Sequence, residues 1–412
     1  MKSLTEKIYA ARWIFPISQP PIQAGFVRLV DGQVAEIGSL KRAKLSTGDC
    51  IDLGDVAVLP RLVNAHTHLE FSDCRTVIGD RGIPLAQWIG MVIAERGAAS
   101  TQQRADAIAS GLAESVAAGV GLVADIATTP SQYPADQDVQ IISCAEVLGL
   151  SPPRAEERFA AAQRHAEELT SADQIQFAVS PHAPYSTPWD LVRRCVQLAR
   201  KHRSPLAMHV AESADERELV RHGSGRFATA LQTAGLWREG LFPWSGQQPI
   251  VDLIDLLATA PRALLVHGND LNDAEIERIA RHPNLSVVYC PRTHDFFGYP
   301  PHPVDRLVAA GIPVALGTDS RASNPDLSVW GELQFLLNHR TDLAPQQVLS
   351  MATQAGADAL LGPGSGFGTL AAGSGVVSVG GSIPLVAVPT QATTLDQVWR
   401  DFADRDLRPL QQ

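Results

Sequence analysis

Short apolar runs alternate with longer amphipathic stretches through the middle of the chain. Val56–Val63, Val120–Ile126, Val139–Val147, Ile175–Ser180, Leu206–Val210, Ala263–His267, Leu285–Cys290 and Ile312–Gly317 are rich in Val, Ile, Leu and Ala. Predominantly apolar runs of this length fit strands buried on both faces. Between them, Pro84–Arg96, Asp190–Lys201 and Asp273–Arg281 read as helices. Regular strand–helix alternation predicts parallel α/β architecture. Eight or nine strand candidates over about 300 residues fit a (β/α)8 TIM barrel with insertions. A doubly wound open sheet is the alternative. No G-x-G-x-x-G follows an early strand and no G-x-x-x-x-G-K-[ST] occurs, so nothing favours it.

The two ends follow a different pattern. Phe26–Val30 and Gln33–Ile37 alternate around the turn signal Asp31-Gly32. The tail from Gly368 to Pro389 is rich in glycine and valine. Two β-rich ends around a β/α middle predict a small β-sandwich built from both termini. Residues 1–55 together with 365–412 would form it, and residues 56–364 would form the barrel.

Composition narrows the class. With 412 residues, 45% of them hydrophobic, the chain can bury a sizeable core. A net charge of −10, spread rather than blocked, argues against nucleic acid as a partner. The five cysteines form no C-x-x-C pair, which predicts free thiols and a cytoplasmic setting. Glu6 and Arg12 interrupt any apolar run at the start, and no stretch approaches the roughly 18 apolar residues of a membrane span. A small-molecule substrate is the expected partner, and a homo-oligomer stays open.

The chemistry lies where apolar runs end. The first runs into His66-Thr67-His68, others into His209, into His267, and, past Gly317-Thr318, into Asp319. Residues two apart on an extended chain point to one side, so His66 and His68 can grip one ion. In a barrel the C-terminal strand ends converge on one face. A lone histidine at a strand end is more often a satisfied polar group. H-x-H, His, His and Asp closing successive strands point instead to one divalent metal per chain. Imidazole with carboxylate suits zinc first and ferrous iron second. Other zinc motifs fail: His68-Leu69-Glu70 is H-x-E but no P-C-x-x-C follows, and H-E-x-x-H is absent.

The run VLPRLVNAHTHLE resembles the first-strand signature of the amidohydrolase superfamily. HVAES at 209–213, VHGNDL at 266–271 and LGTDSRASN at 316–324 are similar to its fifth, sixth and eighth strands. The resemblance covers nearly the whole chain. It implies a metal held by His66, His68, His209 and Asp319, with His267 beside the activated water. HVAE and SPHAPYS (180–186) look like the aminohydrolase branch, which includes guanine, adenosylhomocysteine, methylthioadenosine and aminofutalosine deaminases and the triazine hydrolases. Two-metal members use a carboxylated lysine on the fourth strand, and none of the five lysines lies in Ile175–His182. Arg61 departs from the pattern, standing where members usually carry glycine. The last strands also lack the usual Ala-Asp.

The expected reaction is hydrolytic deamination of an aminated heterocycle, purine base or nucleoside-like, by a metal-generated hydroxide. Asp319 would take the proton of the attacking water. Glu212 would protonate a ring nitrogen and pass a proton to the leaving ammonia. The competing account of Glu212 is helix-start chemistry, because Ser213-Ala214-Asp215-Glu216 reads as a first turn. His182, Glu70, Trp88, Arg292 and His294 are candidates for the substrate pocket. Asn324 reads as the cap of a following helix. His165, His202, His222, His282 and His339 read as solvated. A chlorohydrolase or a hydrolase of substituted amines would use the same site, with a cyclic amide hydrolase less favoured. A binding protein on an inactive barrel is disfavoured by retention of every ligand with Glu212.

Overall fold

The computed structural model describes residues 5–96, 99–128, 131–135, 137–169, 174–244, 246–371 and 383–410. The N-terminal alternation folds as β1 (Glu6–Ile14), β2 (Ile22–Val30) and β3 (Gln33–Ser39). Asp31 and Gly32 between the last two have φ of 50° and 78°. Positive φ at both centres is the hairpin turn whose twist matches the flanking strands. With β4 (Ile51–Asp52) and β5 (Val56–Pro60), and from the other end β14 (Leu385–Pro389) and β15 (Arg408–Pro409), these strands make one seven-stranded sheet. Its own core includes Tyr9, Ile14, Val27, Val58 and Leu385. Both termini do build one unit, whose described strands are linked in a single sheet. Residues 372–382 of the expected β-rich tail lie outside the described residues.

The apolar runs of the middle become β6 (Leu62–Thr67), β7 (Val120–Ala127), β8 (Gln140–Val147), β9 (Ile175–Pro181), β10 (Pro205–Val210), β11 (Arg262–His267), β12 (Leu285–Tyr289) and β13 (Val314–Leu316). They pair in chain order and every pair is parallel. A parallel bridge between Thr67 and Asp319 brings the last strand back to the first, so the eight strands form a nearly closed barrel. Small and branched side chains, among them Val63, Ala65, Leu122, Ala124, Ala178, Ala207, Val266 and Ala315, fill the interior. Helices cover the outside, as strands apolar on both faces require. Among the described residues no helix is long and apolar enough to cross a membrane.

The first run, Val56–Val63, is two strands rather than one. Val56–Pro60 pairs with β1 and β14 in the terminal sheet, and only Leu62 onward enters the barrel. The barrel unit therefore starts six residues later than the boundary expected at 56. Arg61 stands at the break and is buried. Its guanidinium donates to the carbonyls of Asp138 and Val120, both at 2.7 Å, and pairs with the Asp138 carboxylate at 3.0 Å. Its stem lies on Gly121, where a Cβ would come within 2.9 Å of Arg61 Cβ. The arginine thus pins the base of the barrel. Arg61→Met keeps the stem but leaves buried acceptors unpaired, so it should lower the free energy of unfolding by about 1–3 kcal/mol, measured by urea titration, with metal content unchanged.

Candidate active site

The closure of the barrel is built from polar groups. The carbonyl of His66 accepts from the backbone N–H groups of Thr318 and Asp319, at 3.0 and 3.1 Å. The Thr67 hydroxyl donates to the Asp319 carbonyl at 2.8 Å, and the Asn64 amide donates to the Thr318 hydroxyl at 2.8 Å. Gly317 makes this approach possible, since a Cβ there would lie 2.9 Å from both Cβ and O of His66. Asn324 does not cap a helix, a task taken by Ser328. Its amide donates to the Thr318 carbonyl at 2.7 Å and to Glu332 at 2.6 Å, bracing the seam from outside.

This seam and the neighbouring strand ends bring the predicted ligands together. His66, His68 and His209 form one group with nitrogens within 4.8 Å of one another, and His66, His267 and Asp319 form a second. Asp319 Oδ1 lies 3.6 Å from His66 Nε2 and 3.5 Å from His68 Nε2. Both ring nitrogens of His66 are buried without a hydrogen-bond partner. A fully buried, unsatisfied imidazole facing three other donor groups fits a divalent cation, which would satisfy it. His209 Nδ1 lies 2.8 Å from the His182 carbonyl. A carbonyl only accepts, so Nδ1 carries the hydrogen and Nε2 keeps its lone pair for the cluster. Burial pushes His209 far down, with the neighbouring imidazoles adding to it, and pushes His267 down to about 3. Both rings are neutral at neutral pH, as metal ligation requires. Burial acting alone would raise Asp319, but the facing imidazoles of His66, His68 and His267 outweigh it and keep it an anion.

Glu212 follows on the turn after β10 and is buried. Its Oε1 lies 3.5 Å from His267 Nε2, and the Tyr185 hydroxyl reaches its Oε2 at 3.5 Å. Burial first, then the charges of Asp319 and Glu216, push the Glu212 carboxyl well up from the ordinary glutamate range.

A cavity of about 580 Å³ opens over this cluster, lined by His68, Glu70, His182, His209, Glu212, His267 and Asp319. That size suits a small molecule. Helix Leu85–Arg96 contributes Trp88 and Ile89, and helix Gly225–Thr233 contributes Phe227 and Leu231, so the far wall is apolar. His182 accompanies them from the end of β9. The Ser186 hydroxyl donates to the Ala183 carbonyl, so His182 Nδ1, 2.6 Å away, donates to Ser186 Oγ and its Nε2 is left as an acceptor. Glu70 takes the Thr128 hydroxyl.

Two expected pocket residues are elsewhere. The Arg292 guanidinium is held by Glu332 at 2.7 Å and Asp326 at 2.7 and 3.0 Å, and the residue does not line the cavity. Two carboxylates compete for it more strongly than a pocket could. His294 bonds the Pro300 carbonyl at 2.9 Å, also off the cavity wall. His165 is not solvated. It is buried and bonded to Ser143 at 2.8 Å. Sequence reasoning did not single out Glu146, and it met Tyr185 and Ser323 only as members of the SPHAPYS and LGTDSRASN runs. Ser323 donates to Asp319 Oδ2 at 2.9 Å, and Glu146 and Tyr185 line the cavity. Glu146 carried the same signal as the histidines, a charged group near the end of an apolar strand.

His66→Ala removes the most enclosed donor of the cluster. Metal affinity, measured by chelator competition and elemental analysis, should fall by more than the roughly 10–100-fold typical of losing a supporting partner, and activity should fall with it.

Residues 57–374 match the Amidohydrolase family. An aminodeoxyfutalosine deaminase from Deinococcus radiodurans is 32% identical over 314 residues, covering 73% of this chain and 72% of that protein. A 5-methylthioadenosine/S-adenosylhomocysteine deaminase from Nitratidesulfovibrio vulgaris is 30% identical over 362 residues, covering 84% and 77%. The Helicobacter pylori aminofutalosine deaminase, solved with methylthio-coformycin, has the same fold, with a TM-score of 0.77 at 22% identity over 98% of this chain and 97% of that one. Strand-end histidines around a closing aspartate, on a barrel with a terminal β-sheet, therefore have their explanation in descent: the chain belongs to the amidohydrolase family.

Proposed function

We propose that this chain is a metal-dependent aminohydrolase that replaces the amino group of an adenosine-like nucleoside by oxygen, releasing ammonia. The observation that carries this reading is the placement of Glu212. A buried carboxyl, pushed well up by its burial, stands 3.5 Å from His267 Nε2 and shares one cavity with the cluster of donors. The deaminase relatives support the same chemistry.

His66, His68, His209 and Asp319 would hold one ion per chain. Zinc is the best match to three imidazoles and a carboxylate, with ferrous iron second. When bound, the metal supplies Lewis acidity that makes water a nucleophile at neutral pH. Water adds across a ring C=N bond. The Glu212 carboxyl gives its proton to the ring nitrogen, and Asp319 accepts the proton released by the attacking water. A proton passed on to the amino group lets ammonia leave and the ring carbonyl form. His267, with Nε2 3.5 Å from Glu212 Oε1, would keep the attacking water and the Glu212 carboxyl in register. His182 Nε2, Glu70 and Trp88 would meet the substrate. The absence of a lysine on β9 supports one metal rather than two. All five cysteines are free thiols, which supports a reducing compartment such as the cytoplasm.

The test is a panel of adenosine, 5′-methylthioadenosine, S-adenosylhomocysteine, aminodeoxyfutalosine and guanine, assayed for ammonia. Turnover of at least one adenosine derivative is expected. Cleavage confined to cyclic amides, or dechlorination without ammonia, would overturn the reading. On the best substrate, Glu212→Gln should keep its metal while kcat falls by roughly 10²–10⁴, the scale for losing a general acid–base group. A helix-start role alone would leave kcat normal and cost about 1 kcal/mol or less in stability, read from the melting temperature.

A further inference from the structure

Glu216 is one of the most enclosed charged side chains in the structure, with 0% of its surface exposed. It sits in the first turn of helix Ala214–His222, whose N-cap Ser213 accepts from the Glu216 N–H at 3.3 Å. A glutamate at that position ordinarily reaches back to the N–H of the capping residue. Glu216 reaches further. Its Oε1 accepts from the N–H of Ala211 at 2.7 Å, and its Oε2 accepts from the N–H of Glu212 at 3.2 Å. Neighbouring Arg217 is committed elsewhere, to Asp270 and Glu275, both at 2.6 Å.

The segment held in this way cannot hold itself. Ala211 has φ of 52°, a left-handed backbone that an L-residue with a Cβ adopts at a cost. Opposite the carboxylate, the Asp270 N–H donates to the Ala211 carbonyl at 2.8 Å and the Asn269 amide donates to the Glu212 carbonyl at 3.0 Å. The peptide unit between Ala211 and Glu212 is therefore fixed from two directions, by Glu216 at its N–H and by Asp270 at its carbonyl, and the unit after Glu212 is held at its carbonyl by Asn269.

We propose that Glu216 is a positioning residue for the reaction: it locks the strained turn at Ala211 and so aims the Glu212 carboxyl at the reacting atoms. It touches neither substrate nor metal. The inference rests on the role given to Glu212 above.

Two variants test it. Glu216→Gln keeps the shape and one acceptor but turns N–H donors toward an N–H; Glu216→Ala removes both acceptors. Hydrogen–deuterium exchange of the peptide covering 209–216 reads the clamp without any substrate. It should rise stepwise from wild type to glutamine to alanine, while exchange of the other barrel strands and the metal content stay unchanged. On the adenosine derivative turned over fastest, kcat should fall roughly tenfold to a hundredfold with KM nearly constant, since displacing a catalytic group by about 1 Å has that effect. A residue that only caps the helix would lower the melting temperature and leave kcat and local exchange at Ala211 and Glu212 untouched, which overturns the proposal. If the alanine variant does not fold, the glutamine variant decides alone. If Glu212→Gln is fully active, the role of Glu212 fails. If Glu212→Gln is impaired while Glu216→Gln exchanges and turns over like wild type, only the positioning role fails.

Discussion

Everything at this site depends on how the barrel closes. Seven of the strand junctions are parallel pairings between named strands. The eighth, between β6 and β13, is a single bridge reinforced by side chains: the His66 carbonyl takes two backbone N–H groups, and Asn64, Thr67 and Thr318 supply the rest. β13 is only three residues long, so it offers little ladder of its own. Polar side chains complete what the backbone cannot, and they also bring Asp319 to the two histidines of the first strand. Stability and chemistry share the same few atoms there, and Gly317 is the concession that lets them meet.

Much of this was legible in the sequence, for a physical reason. A strand buried on both faces has no room for a polar group, so a histidine or aspartate in such a run must lie at its end, and in a barrel the ends converge. That argument alone located His66, His68, His209, His267 and Asp319. It failed where the pairing partner is remote. Val56–Val63 reads as one run because apolar residues flank Arg61 on both sides, and only contacts with β1 and β14 divide it there. Arg292 was placed at the correct end of a strand, but its partners Asp326 and Glu332 lie 34 and 40 residues on, at a distance no local pattern exposes. His165 misled in the same way, because Ser143, which it meets, belongs to a strand 22 residues earlier.

Three strand ends share a further property. Ala211, His267 and Asp319 all have positive φ without being glycine, at 52°, 70° and 55°. Each is tied down by a buried side chain. Glu216 holds the amide of Ala211, His302 Nε2 donates to the His267 carbonyl at 2.8 Å, and the Thr67 hydroxyl donates to the Asp319 carbonyl. Left-handed turns re-aim the side chains that follow a strand, which an extended backbone would send alternately in and out of the barrel. The strain of each turn is offset locally, so no single substitution in the outer layers would release all three.

The length of chain between the donors has its own consequence. Thr67 and Asp319 are 252 residues apart. A chain growing from its N-terminus carries the first histidine pair long before the residue that completes the set exists. Until Asp319 is made, the chain carries the imidazoles of the set without the carboxylate that joins them. The donor set is thus completed late and in one step, when a three-residue strand docks against the start of the barrel.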